Sequence, residues 1–431
     1  MFAVLGILAI SVAASLNDTL DTFPIGFWNY APIEVFDEAK VQEWADAGMT
    51  LTMGPEFAAT PENVAHMKRI LDWAQARKIK VIICDPRTRT VADTKRVLNS
   101  STVGALPNDY AALVAQAAKD FGAHAATFGF HILDEPAKAD FPGTCDGVRV
   151  TKNAAPQLHP FVNLLPWHPG GYSRVGYDDW QTYLDDFLKK SGAELLCYDC
   201  YSQMLPEKSG WPMYFRNLTE YGKAARRNGV PFWNTILSVG HFHYACPNED
   251  DIRWQFNTSI AYGAQGIFYF FFYMRQQDSN ARLAPIDEFW DRTPTFDSLK
   301  RTNKGFVKRY GRLFLDLSLR KAMQYPEPIS GCDPFEPDDL IKEVQADGKR
   351  PLIVSRFADK QDRQWVVVVN NSTTESALAT LTFNGANTTA YQLDWKNQEA
   401  AAGVEKGEGC VKISPWLAPG QMEVYRVAPA K

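Results

Sequence analysis

The chain has 431 residues, of which 45% are hydrophobic and 22% are charged, and its formal net charge is -5 at pH 7. This length exceeds what one compact core usually holds, so it predicts two domains or one large barrel with an appended domain. The mild negative charge and the lack of Lys/Arg clusters exclude a typical nucleic-acid-binding protein and a protein that binds acidic membrane surfaces.

The chain begins with the apolar run MFAVLGILAISVAAS, residues 1–15. This run has the length of a signal-peptide core, ends in small residues and is too short to cross a membrane. We expect a secreted glycoprotein from which residues 1–15 are removed, because Asn-X-Ser/Thr sequons recur along the chain. The sequons are at Asn17, Asn99, Asn217, Asn257, Asn370, Asn371 and Asn387.

Short apolar runs then alternate with amphipathic segments up to about residue 318. Apolar runs that lack alternation are typical of parallel strands covered on both faces, and eight of them predict an α/β protein with a (β/α)8 barrel over residues 20–318. A doubly wound open sheet is the alternative, although no Gly-rich phosphate loop follows a strand. The runs are 23–28, 49–53, 80–84, 127–133, 160–165, 194–201, 231–239 and 266–273, and the helical segments include 60–74, 109–121, 178–190, 211–228, 248–264 and 295–315.

The pattern changes from residue 319, where β-rich runs separated by turn-prone stretches such as NNSTT and LAPGQ replace the helical periodicity. This pattern predicts a small antiparallel β-sandwich over residues 319–431. The chain contains seven cysteines, an odd number, so at least one is unpaired. Cys332 and Cys410 could form a disulfide within this second domain.

Polar and aromatic residues follow the predicted barrel strands, and the active site of such a barrel forms at the carboxyl ends of its strands. Carboxylates and amides bind sugar hydroxyls, and aromatic rings stack on the apolar faces of sugars. His241 and His243 have the spacing of a metal pair but no further ligand at suitable spacing, so no metal or other cofactor is expected. The predicted substrate-binding residues are Trp28, Asn29, Glu56, His131, Asn163, Trp167, Tyr201, Trp233, His241 and Tyr273.

The fourth apolar run ends in Asp134-Glu135-Pro136. A Glu that ends the fourth strand, with a polar residue before it and Pro after it, resembles the acid/base position of clan A (β/α)8 glycoside hydrolases. The stretches PFVNLLPWHPGGY, LLCYDCYSQM, IRWQFNTSIAYGAQGIFYF and LAPGQMEVYRV are similar to those of secreted barrel-plus-sandwich glycosidases. The resemblance implies that Glu135 is the proton donor and that configuration is retained. Alternatively, the two carboxylates cap a following helix, although FPGT follows too soon for a long one.

The chain departs from the clan A pattern because PFWNTILSVGHFHY, the seventh run, carries no nucleophilic Glu. Asp199 or Asp134 would then be the second carboxylate. An Asp-Glu pair also resembles families 20 and 123 of the N-acetylhexosaminidases, which implies substrate assistance, with Tyr201 available to bind the acetamido group. A third alternative is a non-catalytic glycan-binding protein derived from a glycosidase. We expect a glycoside hydrolase that acts on an oligo- or polysaccharide.

Overall fold

The computed structural model describes residues 16–90, 106, 108–275 and 280–429. Eight parallel strands form a barrel. The first strand pairs with the eighth, and the eighth to the second strands pair with one another in descending order. The first and second strands are the two ends of this order, and side-chain hydrogen bonds join them, so the strands form the predicted (β/α)8 barrel and not an open sheet. The strands are β1 (Ile25–Phe27), β2 (Leu51–Glu56), β3 (Lys80–Cys84), β4 (Thr127–Asp134), β5 (Phe161–Leu164), β6 (Leu196–Asp199), β7 (Phe232–Leu237) and β8 (Ile267–Phe270).

Helices connect these strands, and two of them end where the sequence predicts. Gly192 and Gly229 end their helices in the left-handed conformation that glycine adopts without steric cost. The helices are α1 (Glu38–Asp46), α2 (Pro61–Ala76), α3 (Tyr110–Phe121), α4 (Phe141–Ala154), α5 (Gly171–Val175), α6 (Trp180–Ser191), α7 (Trp211–Asn228), α8 (Glu249–Ala261), α9 (Pro294–Tyr310) and α10 (Leu313–Asp316).

The interpretation of FPGT as too close for a long helix is wrong. These four residues are the first turn of the 14-residue helix α4, where proline is tolerated because the first-turn amides need no intrahelical acceptor. The residue that precedes this helix is Asp140, so neither Asp134 nor Glu135 caps it.

The barrel closes between β1 and β2 through threonine side chains. The Thr50 hydroxyl accepts from the amide of Ile25 at 2.8 Å, and the Thr52 hydroxyl accepts from the amide of Phe27 at 3.2 Å. Gly26 lies between these two amides on β1, where the absence of a side chain lets β2 approach closely.

Aromatic rings fill the barrel interior. The rings of Phe161 on β5 and Phe268 on β8 are stacked with centroids 5.6 Å apart, although these strands are not neighbours in the sheet. Phe128 and Trp233 continue this layer, with centroids 5.5 Å apart. The interior is therefore packed with side chains and has no open channel at this level.

The antiparallel region begins at Ser318, two residues after α10, and confirms the predicted β-sandwich domain. One sheet has the order β10-β13-β17-β16 with β18 beside β13, and the other has the order β15-β14-β19-β12-β11-β9. The strands are β9 (Ser318–Tyr325), β10 (Ile341–Ala346), β11 (Leu352–Ala358), β12 (Gln364–Asn370), β13 (Ala377–Asn384), β14 (Thr388–Leu393), β15 (Glu399–Ala401), β16 (Glu405–Gly407), β17 (Cys410–Ile413), β18 (Trp416–Leu417) and β19 (Met422–Pro429).

Part of the second domain packs into the hydrophobic core of the barrel, and a separate cluster of buried residues lies within the second domain. Phe357, Val367 and Met422 of the second domain belong to the same cluster of buried residues as the barrel side chains. Polar contacts add to this packing, because the indole of Trp254 donates to Asn371 at 2.9 Å across the interface. The sandwich therefore packs against the barrel through both apolar and polar contacts.

All seven cysteines are free thiols, so the suggested Cys332–Cys410 disulfide is wrong. The thiol of Cys332 lies beside the hydroxyl of Tyr262 on the barrel, whereas Cys410 is buried on β17. The two side chains have different neighbours and do not meet.

Most of the sequon asparagines are inaccessible in the folded protein. Asn387 is exposed, whereas Asn99 lies outside the described residues. In the described part of the chain, no helix is both long and apolar enough to cross a bilayer. The buried sequon asparagines are Asn17, Asn217, Asn257, Asn370 and Asn371, and the folded state has no room for a glycan on them.

The closure of the barrel can be tested at Gly26. A Cβ atom at this position would lie 2.0 Å from the carbonyl oxygen of Leu51. We expect Gly26→Ala to lower the free energy of unfolding by about 2 kcal/mol or more, because the backbone of β2 would have to move. Urea unfolding followed by tryptophan fluorescence measures this change. Gly403→Ala is the control, because a Cβ there meets nothing within 4 Å; equal effects of the two substitutions would contradict the role of Gly26.

Candidate active site

Three consecutive barrel strands bring two carboxylates and one amide together. Asp134 ends β4, Asn163 lies in β5 and Asp199 ends β6. The side-chain nitrogen of Asn163 donates to Asp134 at 3.0 Å and to Asp199 at 2.7 Å. Because both acceptor oxygens lie within 3.0 Å of one nitrogen, they are at most roughly 6 Å apart.

Burial and like charges raise the pKa of both carboxyl groups. Burial, followed by the negative charge of Glu135, raises the pKa of Asp134 to about 6, and the Asn163 hydrogen bond opposes the rise. The same causes hold the pKa of Asp199 well above its usual range. The Asp134 side chain still reaches solvent, although surrounding protein atoms weaken its hydration. The pair therefore keeps protons at a pH where exposed aspartates have lost them.

Glu135 lies near this pair and is bound by an arginine. The residue has φ of +44°, a left-handed conformation that is uncommon outside glycine, and its amide donates to the carbonyl of Asn163 at 2.8 Å. Its carboxylate accepts a hydrogen bond from Arg174 of α5 at 3.0 Å. The side chain is 32% exposed, so this ion pair is open to solvent.

Partly exposed aromatic rings stand beside the carboxylates. Tyr201 follows Asp199 by two residues and stacks on Phe270 with centroids 5.0 Å apart. His241 packs against Tyr201 at 5.8 Å, and Tyr30 packs against Phe270 at 6.0 Å. The hydroxyl of Tyr201 lies next to Asp199 and favours its ionised form. These rings form an aromatic wall on the β1, β6, β7 and β8 side of the site.

A second polar group borders the site on the β2 side. The guanidinium of Arg89 lies 3.0 Å from Nδ1 of His131 and 3.5 Å from the carboxylate of Glu56. The side chain of Glu56 is 45% exposed. His131 is buried with Trp28 inside the barrel, and its pKa is lowered by burial and by Arg89. Glu56 therefore lies on the rim, whereas His131 and Trp28 form part of the floor.

Four predicted substrate-binding residues are held elsewhere. Trp233 is fully buried in the interior ring layer, and Tyr273 is buried behind β1, where its hydroxyl accepts from the indole of Trp44 at 2.9 Å. Asn29 is buried and donates to the carbonyl of Met53. Trp167 is half-buried and lies under the guanidinium of Arg216, 3.8 Å from its ring. Packing and backbone hydrogen bonding explain these positions.

Some residues at the site were not predicted from the sequence. Arg174, Arg89 and Tyr244 lie on connecting segments, where no periodic pattern distinguishes them from other surface residues. Phe270 ends β8 but lies inside the eighth apolar run, so the run did not mark it as the end of a strand. Within the described ranges, no three His, Cys, Asp or Glu residues are arranged to hold a metal ion.

No protein-family model matches this chain, and no curated protein matches its sequence. A family 5 glycoside hydrolase from Bacteroides vulgatus has a similar structure, with a TM-score of 0.60 and 11% identity over 94% of this chain and 89% of that one. A family 39 glycoside hydrolase from Bacteroides cellulosilyticus has a TM-score of 0.51 and 11% identity over 96% and 82% of the two chains. Another structure, described as a glycoside hydrolase, has a TM-score of 0.59 and 10% identity over 94% and 92%.

These three proteins share the fold of this chain at very low sequence identity. The predicted similarity to barrel-plus-sandwich glycoside hydrolases is therefore confirmed for the fold. A fold alone does not define a reaction, because one fold hosts many functions.

The raised pKa of Asp134 predicts a pH-dependent cost of folding. The unfolded chain has the ordinary pKa of 3.8, whereas the folded protein holds the proton up to about pH 6. The wild type should therefore lose stability as the pH rises from about 4 to about 6. We expect Asp134→Asn to unfold at a higher temperature than the wild type at pH 7 and to lose this advantage at pH 4.

Thermal unfolding measured from pH 4 to pH 8 tests this expectation. Glu327→Gln, at an exposed position of the second domain, is the control and should show the same pH profile as the wild type. If Asp134→Asn also follows the wild-type profile, the pKa of Asp134 is not raised in the folded state.

Proposed function

We propose that this protein is a glycoside hydrolase in which Asp134 and Asp199 act on the two sides of the bond that is cleaved. The observation that supports this proposal is the shared amide of Asn163, which points both carboxyl groups at one position on the barrel rim. Glycosidic cleavage requires a carboxylic acid that protonates the departing oxygen and a second carboxylate. This pair supplies both groups.

Asp199 is assigned as the proton donor and Asp134 as the nucleophile. Burial and two neighbouring carboxylates keep the pKa of Asp199 high, so it carries a proton. Asp134, with a pKa of about 6, is largely ionised at neutral pH. Asp134 attacks the anomeric carbon while Asp199 protonates the leaving oxygen. Asp199 then takes a proton from water, which attacks the same carbon and releases Asp134.

This assignment differs from the expectation that Glu135 is the proton donor. The Glu135 carboxylate is engaged with Arg174 at 3.0 Å, and this ion pair would have to break before a proton could be transferred. The negative charge of Glu135 is, after burial, the largest cause of the raised pKa of Asp199. We assign Glu135 the role of keeping Asp199 protonated.

The partly exposed rings support a carbohydrate substrate. Tyr30, Tyr201 and Phe270 offer aromatic faces within reach of the carboxylates, and the apolar faces of a sugar ring stack on such surfaces. Substrate assistance by an acetamido group would require Asp134 and Glu135 to act together with Asp199 turned away. The shared amide of Asn163 favours the two-aspartate mechanism instead.

Substitution of the three carboxylates separates these assignments. We expect Asp134→Asn and Asp199→Asn each to lower kcat by at least about a thousandfold, because proton transfer and covalent attack each supply rate factors of this size. Glu135→Gln should lower kcat by about tenfold and shift the upper pKa of the pH–rate profile downward, because Asp199 loses its strongest like-charge neighbour.

These rates are measured on a panel of aryl glycosides and soluble polysaccharides, with Glu327→Gln as the control variant. If Glu135→Gln abolishes activity while Asp199→Asn retains it, Glu135 is the proton donor and the present assignment is wrong. If neither the wild type nor any variant cleaves a member of the panel, the hydrolase proposal fails and the glycan-binding alternative takes its place.

The carboxylate separation also predicts the stereochemical outcome. Retaining glycosidases have carboxyl groups about 5–5.5 Å apart, and inverting ones about 6.5–9.5 Å apart. The two oxygens that share the Asn163 amide are at most roughly 6 Å apart, which favours the retaining geometry, so we expect the first product to keep the configuration of the substrate. Proton NMR of the anomeric region during the first minutes of hydrolysis measures this; an inverted first product would contradict the nucleophilic role of Asp134.

A further inference from the structure

A cavity of about 310 Å³ lies between the barrel and the sandwich, and none of Asp134, Glu135 and Asp199 lines it. Its walls come from α8 and α9 on one side and from the loops after β14 and β18 on the other. Ligand pockets usually have volumes of about 300–1,000 Å³, so the cavity is large enough for a small ligand. The residues relevant to binding are Gly305, Arg309, Tyr310, Trp395, Gln421 and Glu423.

Trp395 stands at this cavity with 65% of its surface exposed. It lies in the turn between β14 and β15, where the carboxylate of Asp394 accepts from the amides of Lys396 at 2.8 Å and Gln398 at 2.9 Å. These two hydrogen bonds close the turn that carries the indole. An indole exposed at a cavity combines an apolar face with a polar N–H edge, and side chains of this kind are enriched at binding interfaces.

Trp395 packs close to the helix beneath it. At Gly305 of α9, a Cβ atom would approach the indole only to 3.9 Å, so the ring lies beside a helix position that has no side chain. The guanidinium of Arg309 lies 5.4 Å from the same ring. Tyr310 also lines the cavity, and its buried hydroxyl has no hydrogen-bond partner among the residues that the structure describes.

The charges around the cavity are balanced, which indicates a neutral ligand. Each of its arginines pairs with a carboxylate on the protein, so no surplus positive charge is left for a phosphate or another anion. Paired arginines and carboxylates still donate and accept hydrogen bonds at their outer edges. The pairs are Arg309 with Glu423, Arg301 with Glu249, and Arg253 with Asp250.

We propose that this cavity binds a sugar residue of a neutral polysaccharide. The apolar face of the sugar stacks on Trp395, and its hydroxyl groups bind Gln421, Glu423 and Arg309. A site that combines an aromatic platform with balanced polar groups fits a sugar better than a lipid, which lacks hydroxyls, or a nucleic acid, which carries phosphates. No residue of this site belongs to the carboxylate cluster, so a sugar bound here is held and not cleaved.

Affinity electrophoresis in native gels tests this site in an Asp199→Asn background, which is expected to prevent digestion of the polymer. The gels contain arabinoxylan, galactomannan, xyloglucan or mixed-linkage β-glucan. We expect at least one polymer to slow the parent protein and Trp395→Ala to weaken this binding at least tenfold. Trp416→Ala is a matched control, because Trp416 is also 65% exposed but does not line this cavity, and it should bind like the parent.

Gly305→Leu provides a second variant, because its side chain would displace the Trp395 ring from the helix; it should also abolish retardation while the thermal midpoint stays within a few degrees of the parent. If no polymer slows the parent, or if Trp395→Ala and Trp416→Ala weaken binding equally, the proposal is wrong. Retardation that depends on Trp395 in a protein without hydrolytic activity would support this site and refute the proposed hydrolase function. Hydrolysis by the wild type, together with an Asp199→Asn parent that no polymer slows, would support the hydrolase function and refute this site.

Discussion

The shared amide of Asn163 is the interaction on which the candidate active site depends. It holds two carboxyl groups within hydrogen-bond reach of one nitrogen, although both are partly desolvated and repel each other. The register of the sheet makes this possible, because Asp134 pairs with Asn163 and Asn163 pairs with Cys197 along neighbouring strands. A shift of one residue in β5 would turn the amide to the other face of the sheet and leave the carboxylates without a common donor.

This register is maintained by packing below the site and by closure on the far side of the barrel. The rings of Phe161 and Phe268 meet across the interior, so β5 and β8 cannot slide without disturbing a packed layer. On the opposite side, Gly26 and the hydroxyl groups of Thr50 and Thr52 complete the barrel. The cost of bringing carboxylates together is thus offset by apolar packing elsewhere, which is a common relation between active sites and their scaffolds.

The sequence was sufficient to predict the barrel, the sandwich and the carboxylates at the ends of β4 and β6. Apolar runs and helix caps are local signals, and the carboxyl ends of parallel strands necessarily meet at one edge. The same signals could not decide which way each aromatic ring points, because a strand buried on both faces has no alternation. Trp233 points into the barrel and Tyr273 lies behind β1, although the sequence predicted both at the rim. Arg174 pairs with Glu135 from a short helix that no pattern links to the site.

The sandwich domain is fixed against the barrel by its apolar core and by ion pairs such as Arg309 with Glu423. Because Arg309 also contacts Trp395, the turn that carries this tryptophan depends on the same interface. A residue that joins two domains and also borders a cavity couples binding at that cavity to the stability of the interface. A ligand that binds there would stabilise the native assembly of the two domains by mass action, while the carboxylate site, which shares no residue with it, keeps its own geometry.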